Sequence, residues 1–326
     1  MKMKKILVLL LVLAIVSPLF AGGRSQADGT PAPRPQVLSL ATATLGGTYY
    51  IVGAALGEAI TKRVPHLTVN AIISGGSTGN PLMLHRDEAE LGITNYFSAW
   101  NAIQGNRPFE HPLDIAGIAP LQFSQLHIMV MANSDMHTFR DLRGKRVNLG
   151  PAAGGGALFF RELLPFWGLS ESDFTFSFTS YVEGSEALRD GRVDVNTPNG
   201  AAPLETVSSL AAFGAGVRLI SLEAENMARV TAANPHYGLG VIPAGTYRGI
   251  NQDVHTGGIR DILVVRRSMD DETVYQITRA IFESLERLRP AHPSLHDLGF
   301  ANYNHSLVPL HPGALRFYRE RNIPLR

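Results

Sequence analysis

Three short segments hold the residues best suited to binding an anion: Thr44-Leu45-Gly46-Gly47-Thr48, Ser74-Gly75-Gly76-Ser77-Thr78 and Gly150-Pro151-Ala152-Ala153-Gly154-Gly155-Gly156. Glycine lets the backbone approach a bound group closely and adopt positive φ. Each segment stands between a strand-like run and a helix-like run. A helix starting there presents unpaired N–H groups and the positive end of its dipole, which suits a carboxylate or phosphate. Thr44, Thr48 and Ser77 add hydroxyls to these loops, and Tyr49 follows the first of them. Asn95 and Tyr96 stand at the end of a later strand-like run, as do Asn196 and Asn199. The candidate ligand-binding residues are therefore Thr44, Gly46, Gly47, Thr48, Tyr49, Gly76, Ser77, Asn95, Tyr96, Gly154, Gly155, Gly156, Asn196 and Asn199. No arginine lies inside the three loops, so helix N-termini are expected to carry much of the anion's charge. At Gly155, alanine is expected to strain a positive-φ backbone and cost a few-fold in affinity, and aspartate far more.

Other chemistries fit less well. A phosphate-binding loop needs G-x-x-x-x-G-K-[ST], but Arg146 follows Gly144-Lys145 and Phe139 takes the first glycine position. Gly75-Gly76-Ser77-Thr78-Gly79 matches the G-x-S-x-G of hydrolase nucleophile elbows. It follows only the second strand-like run, and Asn80-Pro81 caps the next helix at once, so a secreted hydrolase using Ser77 is the alternative reading. His292 and His296 are separated by Pro293 and lack the H-E-x-x-H pattern, so no metal site is expected. The chain has no cysteine, which excludes disulfides, thiolate metal sites and cysteine nucleophiles. A net charge of +1 gives no basic excess for nucleic acid. Neither a catalytic residue nor a cofactor is expected.

The elements that must position these loops alternate along the chain. Strand-like runs fall at 37–42, 67–73, 91–94, 126–132, 146–149, 175–179, 193–197, 217–221 and 259–265. Helix-like runs lie between them, as at Tyr49, Val52, Leu56 and Ile60. The longest helical pattern is 270–289, with Val274, Ile277, Ile281, Leu285 and Leu288 on one face. Such alternation predicts α/β architecture with mostly parallel sheets flanked by helices, whose ligand loops lie at the carboxyl ends of strands. The helix–turn–strand passages at Arg86-Asp87 and Arg189-Asp190 echo one another and suggest two similar units.

Lys2, Lys4 and Lys5, the apolar run Ile6–Val16 and the small residues Ala21, Gly22 and Gly23 form a secretory signal pattern. We expect a signal peptide over 1–21, a flexible leader over 22–36 and a periplasmic mature protein. Lipid attachment is not expected, since no cysteine is present.

Several motifs together resemble the TAXI class of TRAP-transporter solute-binding proteins. They are Gly46-Gly47-Thr48-Tyr49-Tyr50, Ser74-Gly75-Gly76-Ser77, Glu88-Ala89-Glu90-Leu91-Gly92, Ile242-Pro243-Ala244-Gly245-Thr246-Tyr247, and His311-Pro312-Gly313-Ala314 with Tyr318-Arg319-Glu320. The resemblance implies a two-lobed type II periplasmic-binding-protein fold, with lobe 1 formed by 37–124 and 240–326 and lobe 2 by 125–239. It also implies a monomeric receptor for a small organic acid or acidic amino acid, delivered to an ion-gradient-driven TRAP permease in the membrane. A sensor kinase is the alternative partner. This chain departs from the family at Gly154-Gly155-Gly156-Ala157, which lacks the usual hydroxyl residue, and at Thr94-Asn95-Tyr96, where glutamine and serine are common.

Overall fold

The structure, a computed structural model, describes residues 34–296, 298–301 and 303–325. The expected signal peptide, and the leader up to residue 33, lie outside the described residues.

The first strands and helices alternate: β1 (Gln36–Ala41), α1 (Thr48–Arg63), β2 (Leu67–Ile72), α2 (Gly79–His85), β3 (Leu91–Asn95) and α3 (Tyr96–Gln104). In α1, Val52, Leu56 and Ile60 recur at helical spacing and are buried, while Lys62 and Arg63 suit the negative C-terminal end of the dipole. Then come β4 (Ile115–Leu126), β5 (Met129–Met131), β6 (Arg146–Asn148), α4 (Gly155–Leu163), β7 (Thr175–Ser177), α5 (Tyr181–Arg189), β8 (Val195–Asn196), β9 (Asn199–Gly200), α6 (Glu205–Ala211), β10 (Val217–Leu219) and α7 (Ala224–Ala233). The chain closes with β11 (Tyr237–Ile242), β12 (Val254–Arg266), α8 (Asp271–Leu288) and α9 (Pro312–Glu320). Asp270 caps α8 by accepting from the Thr273 N–H, and its apolar face is buried as the spacing predicts.

Two sheets result. The first has strand order β2-β1-β3-β12-β4-β9 with β11 paired to β12, and the second has order β10-β5-β8-β6-β7. The expected α/β class with helices flanking two sheets holds, but the sheets are mixed. β1 runs parallel to β2 and β3, and β6 runs parallel to β7 and β8. β12 is antiparallel to β3, β4 and β11. Alternation along the chain could not show this, because β4 and β11 were not recognised as strands. β4 contains Gly117 and Pro120, which read as breakers, and its near-continuous burial removes any period-two pattern.

The chain leaves the first sheet at the end of β4, passes through His127 and enters the second sheet at β5. β9 rejoins the first sheet beside β4, β10 lies in the second, and the chain returns to the first for β11 and β12. Ile242, Tyr247, Ile250 and Val254, which the sequence put in lobe 1, pack with Met129, Val207 and Leu219 beside the second sheet. A larger core of β1, β3, β4, β12 and α8 residues lies around the first sheet.

Candidate functional site

The three glycine loops meet. The N-termini of α1 and α4 open on one partly enclosed space lined by Ala43, Thr44, Gly47, Thr48, Tyr49, Gly75, Gly76, Ser77, Pro151, Gly154, Gly155, Tyr181 and Asn199. The space is about 20 Å³, room for a water molecule or two. No side chain caps either helix, and neither has an acidic residue in its first turn. Their free N–H groups therefore retain full capacity for an anion. Among the described residues, Thr44 Oγ1, Thr48 Oγ1 and Asn199 Oδ1 are buried without a hydrogen-bond partner. Thr48 is 2% exposed, so its unpaired hydroxyl is a substantial cost unless something in the space binds it.

Contacts hold the two sides together. The Thr78 N–H and hydroxyl both donate to the Ala153 carbonyl, at 2.9 and 2.7 Å. Gly76 adopts φ +91° and faces Gly154, where a Cβ would stand 3.5 Å from its Cα. A Cβ on Gly155 would lie 2.5 Å from Asn95 Nδ2 and 2.8 Å from Ser77 Oγ. Gly155 is thus required by close approach; the expected positive φ is absent there.

Behind the lining lies a chain of buried polar groups. The Tyr49 hydroxyl donates to Asp261 Oδ1 at 2.6 Å and lies 2.9 Å from Ser77 Oγ. Gln122 Nε2 and the Ser124 hydroxyl donate to Asp261 Oδ2. Asp261 is fully buried, at a register irregularity where β12 pairs with β4. Burial pushes its carboxyl up to about 7, against the downward pull of Ser124, Tyr49, Arg260 and Gln122. Burial also raises the Tyr49 hydroxyl well above its ordinary range and lifts that of Tyr181 to about 12.

Of the sequence-predicted residues, Thr44, Gly47, Thr48, Tyr49, Gly76, Ser77, Gly154, Gly155 and Asn199 line the space. Gly46 instead abuts Thr206 and Val182, and Gly156 abuts Asn199. Asn95 sits beside Gly155 and caps α3 through the Ser98 N–H. Tyr96 points away and accepts from the Asn304 N–H. Asn196 lies off the space because its amide is committed to Tyr181 O, Ser185 Oγ and Asn148 Nδ2. Sequence reasoning missed Tyr181 and the group Asp261, Gln122 and Ser124. A lone acid inside the apolar run 259–265 was the available signal for Asp261. Ser77 has no histidine partner, and its nearest carboxylate lies behind Tyr49, so the arrangement lacks the base that a hydrolase needs.

Two sheets that exchange chain through β4–β5, β8–β9–β10 and β10–β11, with the three glycine loops meeting beside them, form the two-lobed fold of type II periplasmic binding proteins. Solved structures agree. PhnD1 from Prochlorococcus marinus (MIT 9301), in complex with methylphosphonate, matches with a TM-score of 0.52 at 11% identity, covering 89% of this chain and 99% of that one. XAC2383 from Xanthomonas citri, bound to ATP, matches with a TM-score of 0.51 at 14% identity, covering 87% and 98%. CAE31940 from Bordetella bronchiseptica RB50 matches with a TM-score of 0.53 at 16% identity, covering 86% of this chain and 77% of that one. The chain belongs to the NMT1-like family, whose sequence model matches residues 40–321.

Proposed function

We propose that the protein is an exported, non-catalytic solute receptor that closes on a small carboxylate, an organic acid or acidic amino acid, between two lobes. The observation that carries this reading is the convergence of two uncapped helix N-termini, α1 and α4, on a space lined by unpartnered hydroxyls. Each N-terminus contributes roughly 0.3–1 kcal/mol towards an anion at an exposed site and more when partly buried. The lobes are taken as 37–124 with the end of the chain and 125 to about 254, hinged at His127 and at the start of β12. The Thr78–Ala153 contact must open for a solute to enter and re-form as the lobes close on it.

The motifs shared with TAXI proteins support delivery to an ion-gradient-driven TRAP permease, with the receptor a periplasmic monomer. A thermal-shift screen of monocarboxylates, dicarboxylates, amino acids and methylphosphonate on the mature protein tests the binding reading. A bound solute stabilises by RT ln(1 + [L]/Kd), so a carboxylate at 100 times its Kd should add about 2.7 kcal/mol. Small-angle scattering should then show a smaller radius of gyration. Stabilisation by no carboxylate at millimolar concentration sinks the reading, and stabilisation by methylphosphonate alone replaces carboxylate with phosphonate.

A further inference from the structure

The chain Asp261–Tyr49–Ser77 has a direction. Oδ2 of Asp261 is occupied by two donors, Gln122 Nε2 and the Ser124 hydroxyl. An ionised carboxylate only accepts, so the Tyr49 proton must point to Oδ1. The Tyr49 oxygen is then an acceptor for Ser77, 2.9 Å away, and the Ser77 proton points to it. Ser77 consequently turns lone pairs, and no proton, towards the space it lines. Protonation of Asp261 reverses every step. Gln122 Nε2 can only donate and stays on Oδ2, so the inference places the new proton on Oδ1, where it donates to the Tyr49 oxygen. Tyr49 then donates to Ser77, and the Ser77 proton is free to face the space.

We infer that Asp261 is a specificity-determining residue that never touches the solute: ionised, it makes the cleft floor at Ser77 a hydrogen-bond acceptor, and protonated, a donor. This rests on the reading of the space as a solute site. It adds a requirement to that reading, since with Asp261 ionised the solute must bring a donor to Ser77. A carboxylate held by the α1 and α4 amides meets this with an amino or hydroxyl group beside the carboxyl carbon. Asn199 Oδ1, a second buried acceptor lacking a donor, makes the same demand across the space.

The groups that face Asp261 leave its titration simple. Tyr49 from α1 and Tyr181 from α5 stay neutral, because burial raises both hydroxyls. Arg260, on its own strand, donates to Leu121 O and favours the ionised form. β4 presents neutral Gln122 and Ser124, and the β3 register partner, Asn95, is neutral too. With burial holding the carboxyl at about 7, both directions of the chain are populated near neutral pH.

Two matched sets of acids test the inference by isothermal titration on the mature protein and its Asp261→Asn variant. One set is propionate, lactate and alanine, and the other is glutarate, 2-hydroxyglutarate and glutamate. Asparagine keeps the shape and fixes the protonated pattern, its oxygen accepting from Gln122 and Ser124 and its NH₂ donating to Tyr49. At about pH 8.5 the wild type should bind the amino or hydroxy acid at least roughly tenfold tighter than the unsubstituted acid, about 1.4 kcal/mol. The preference should shrink several-fold at about pH 5.5 and be absent from the variant at both. A preference independent of pH, or one retained by the variant, overturns the inference while leaving the receptor reading intact. If neither set binds, the carboxylate reading falls, and the direction is read without a ligand from the infrared C–O stretch of Tyr49. That band should shift as the Asp261 carboxyl titrates and stay still in the variant. A Tyr49 band that stays fixed through the titration overturns the inference.

Discussion

Tyr49 and Tyr247 are both buried tyrosines whose hydroxyls meet a titratable side chain, one at the cleft floor and one at the crossover between sheets. Tyr247 Oη lies 2.8 Å from His127 Nε2 and accepts from the Leu204 N–H at 2.8 Å, while His127 Nδ1 lies 3.1 Å from Gln125 O. That chain begins on a backbone N–H and ends on a backbone carbonyl, so its direction is set and nothing is left over. Burial holds His127 neutral, down to about 4. The Tyr49 chain begins on Asp261 and ends at Ser77 on an open space. A buried polar chain closed at both ends on backbone is scaffold; one with an open end can read a ligand.

The largest expected effect separates the two chains by pH. The folded Asp261 carboxyl lies at about 7 against an ordinary 3.8. A carboxyl raised in the folded state stabilises the fold fully below about pH 4, and this contribution is lost as pH rises to about 7. Three pH units correspond to about 4 kcal/mol. His127 has the opposite sign: its pKa is lowered, so its contribution is present above about pH 6.5 and lost as pH falls towards 4. The two offset each other in the wild type. In urea titrations, Asp261→Asn should gain steadily on the wild type between pH 4 and 7, exposing the rise with pH that His127 supplies. A variant that follows the wild-type curve would refute the assignment of Asp261.

Gly155→Asp comes next. It places a charge beside the proposed carboxylate and a Cβ against Asn95 and Ser77, and affinity should fall by at least about a hundredfold, near 2.7 kcal/mol. Gly155→Ala keeps only the crowding and should cost about tenfold. Titration calorimetry with the identified solute would show equal losses if the α4 loop did not meet the anion.

A smaller effect tests the scaffold directly. Tyr247→Phe leaves the Leu204 N–H and His127 Nε2 without partners and should cost about 2 kcal/mol of stability with solute affinity unchanged. Tyr49→Phe breaks the link between Asp261 and Ser77 and should change affinity as well. If Tyr247→Phe weakened binding as much as Tyr49→Phe, the contrast between the two chains would be lost. The smallest effect belongs to the contact across the cleft. Thr78→Val removes the hydroxyl bond to Ala153 O but keeps the N–H bond, and should weaken binding a few-fold, about 1 kcal/mol.

Much of this site was legible along the chain. Gly47, Thr48, Ser77 and Gly155 announce themselves because a strand–glycine–helix passage is local, and its free N–H groups follow from helix geometry alone. The Ile242–Tyr247 motif was visible as a pattern without a role. Its role lies in what Tyr247 touches, His127 and Leu204, which are 120 and 43 residues distant. Asn95 and Asn196 looked equivalent from sequence. One amide lies beside Gly155, while the other is consumed by Tyr181, Ser185 and Asn148.

Local order therefore determined the α/β class, the three loops and the kind of ligand their helix ends favour, since backbone N–H groups and dipoles depend only on where a helix starts. Tertiary structure alone decided that β12 runs antiparallel between β3 and β4. That pairing carries Asp261 under Tyr49, 212 residues away along the chain. The direction of a hydrogen bond and the protonation of a carboxyl depend on which donors surround it and how far it is from water. Those are properties of the packed interior, which no spacing of residues records.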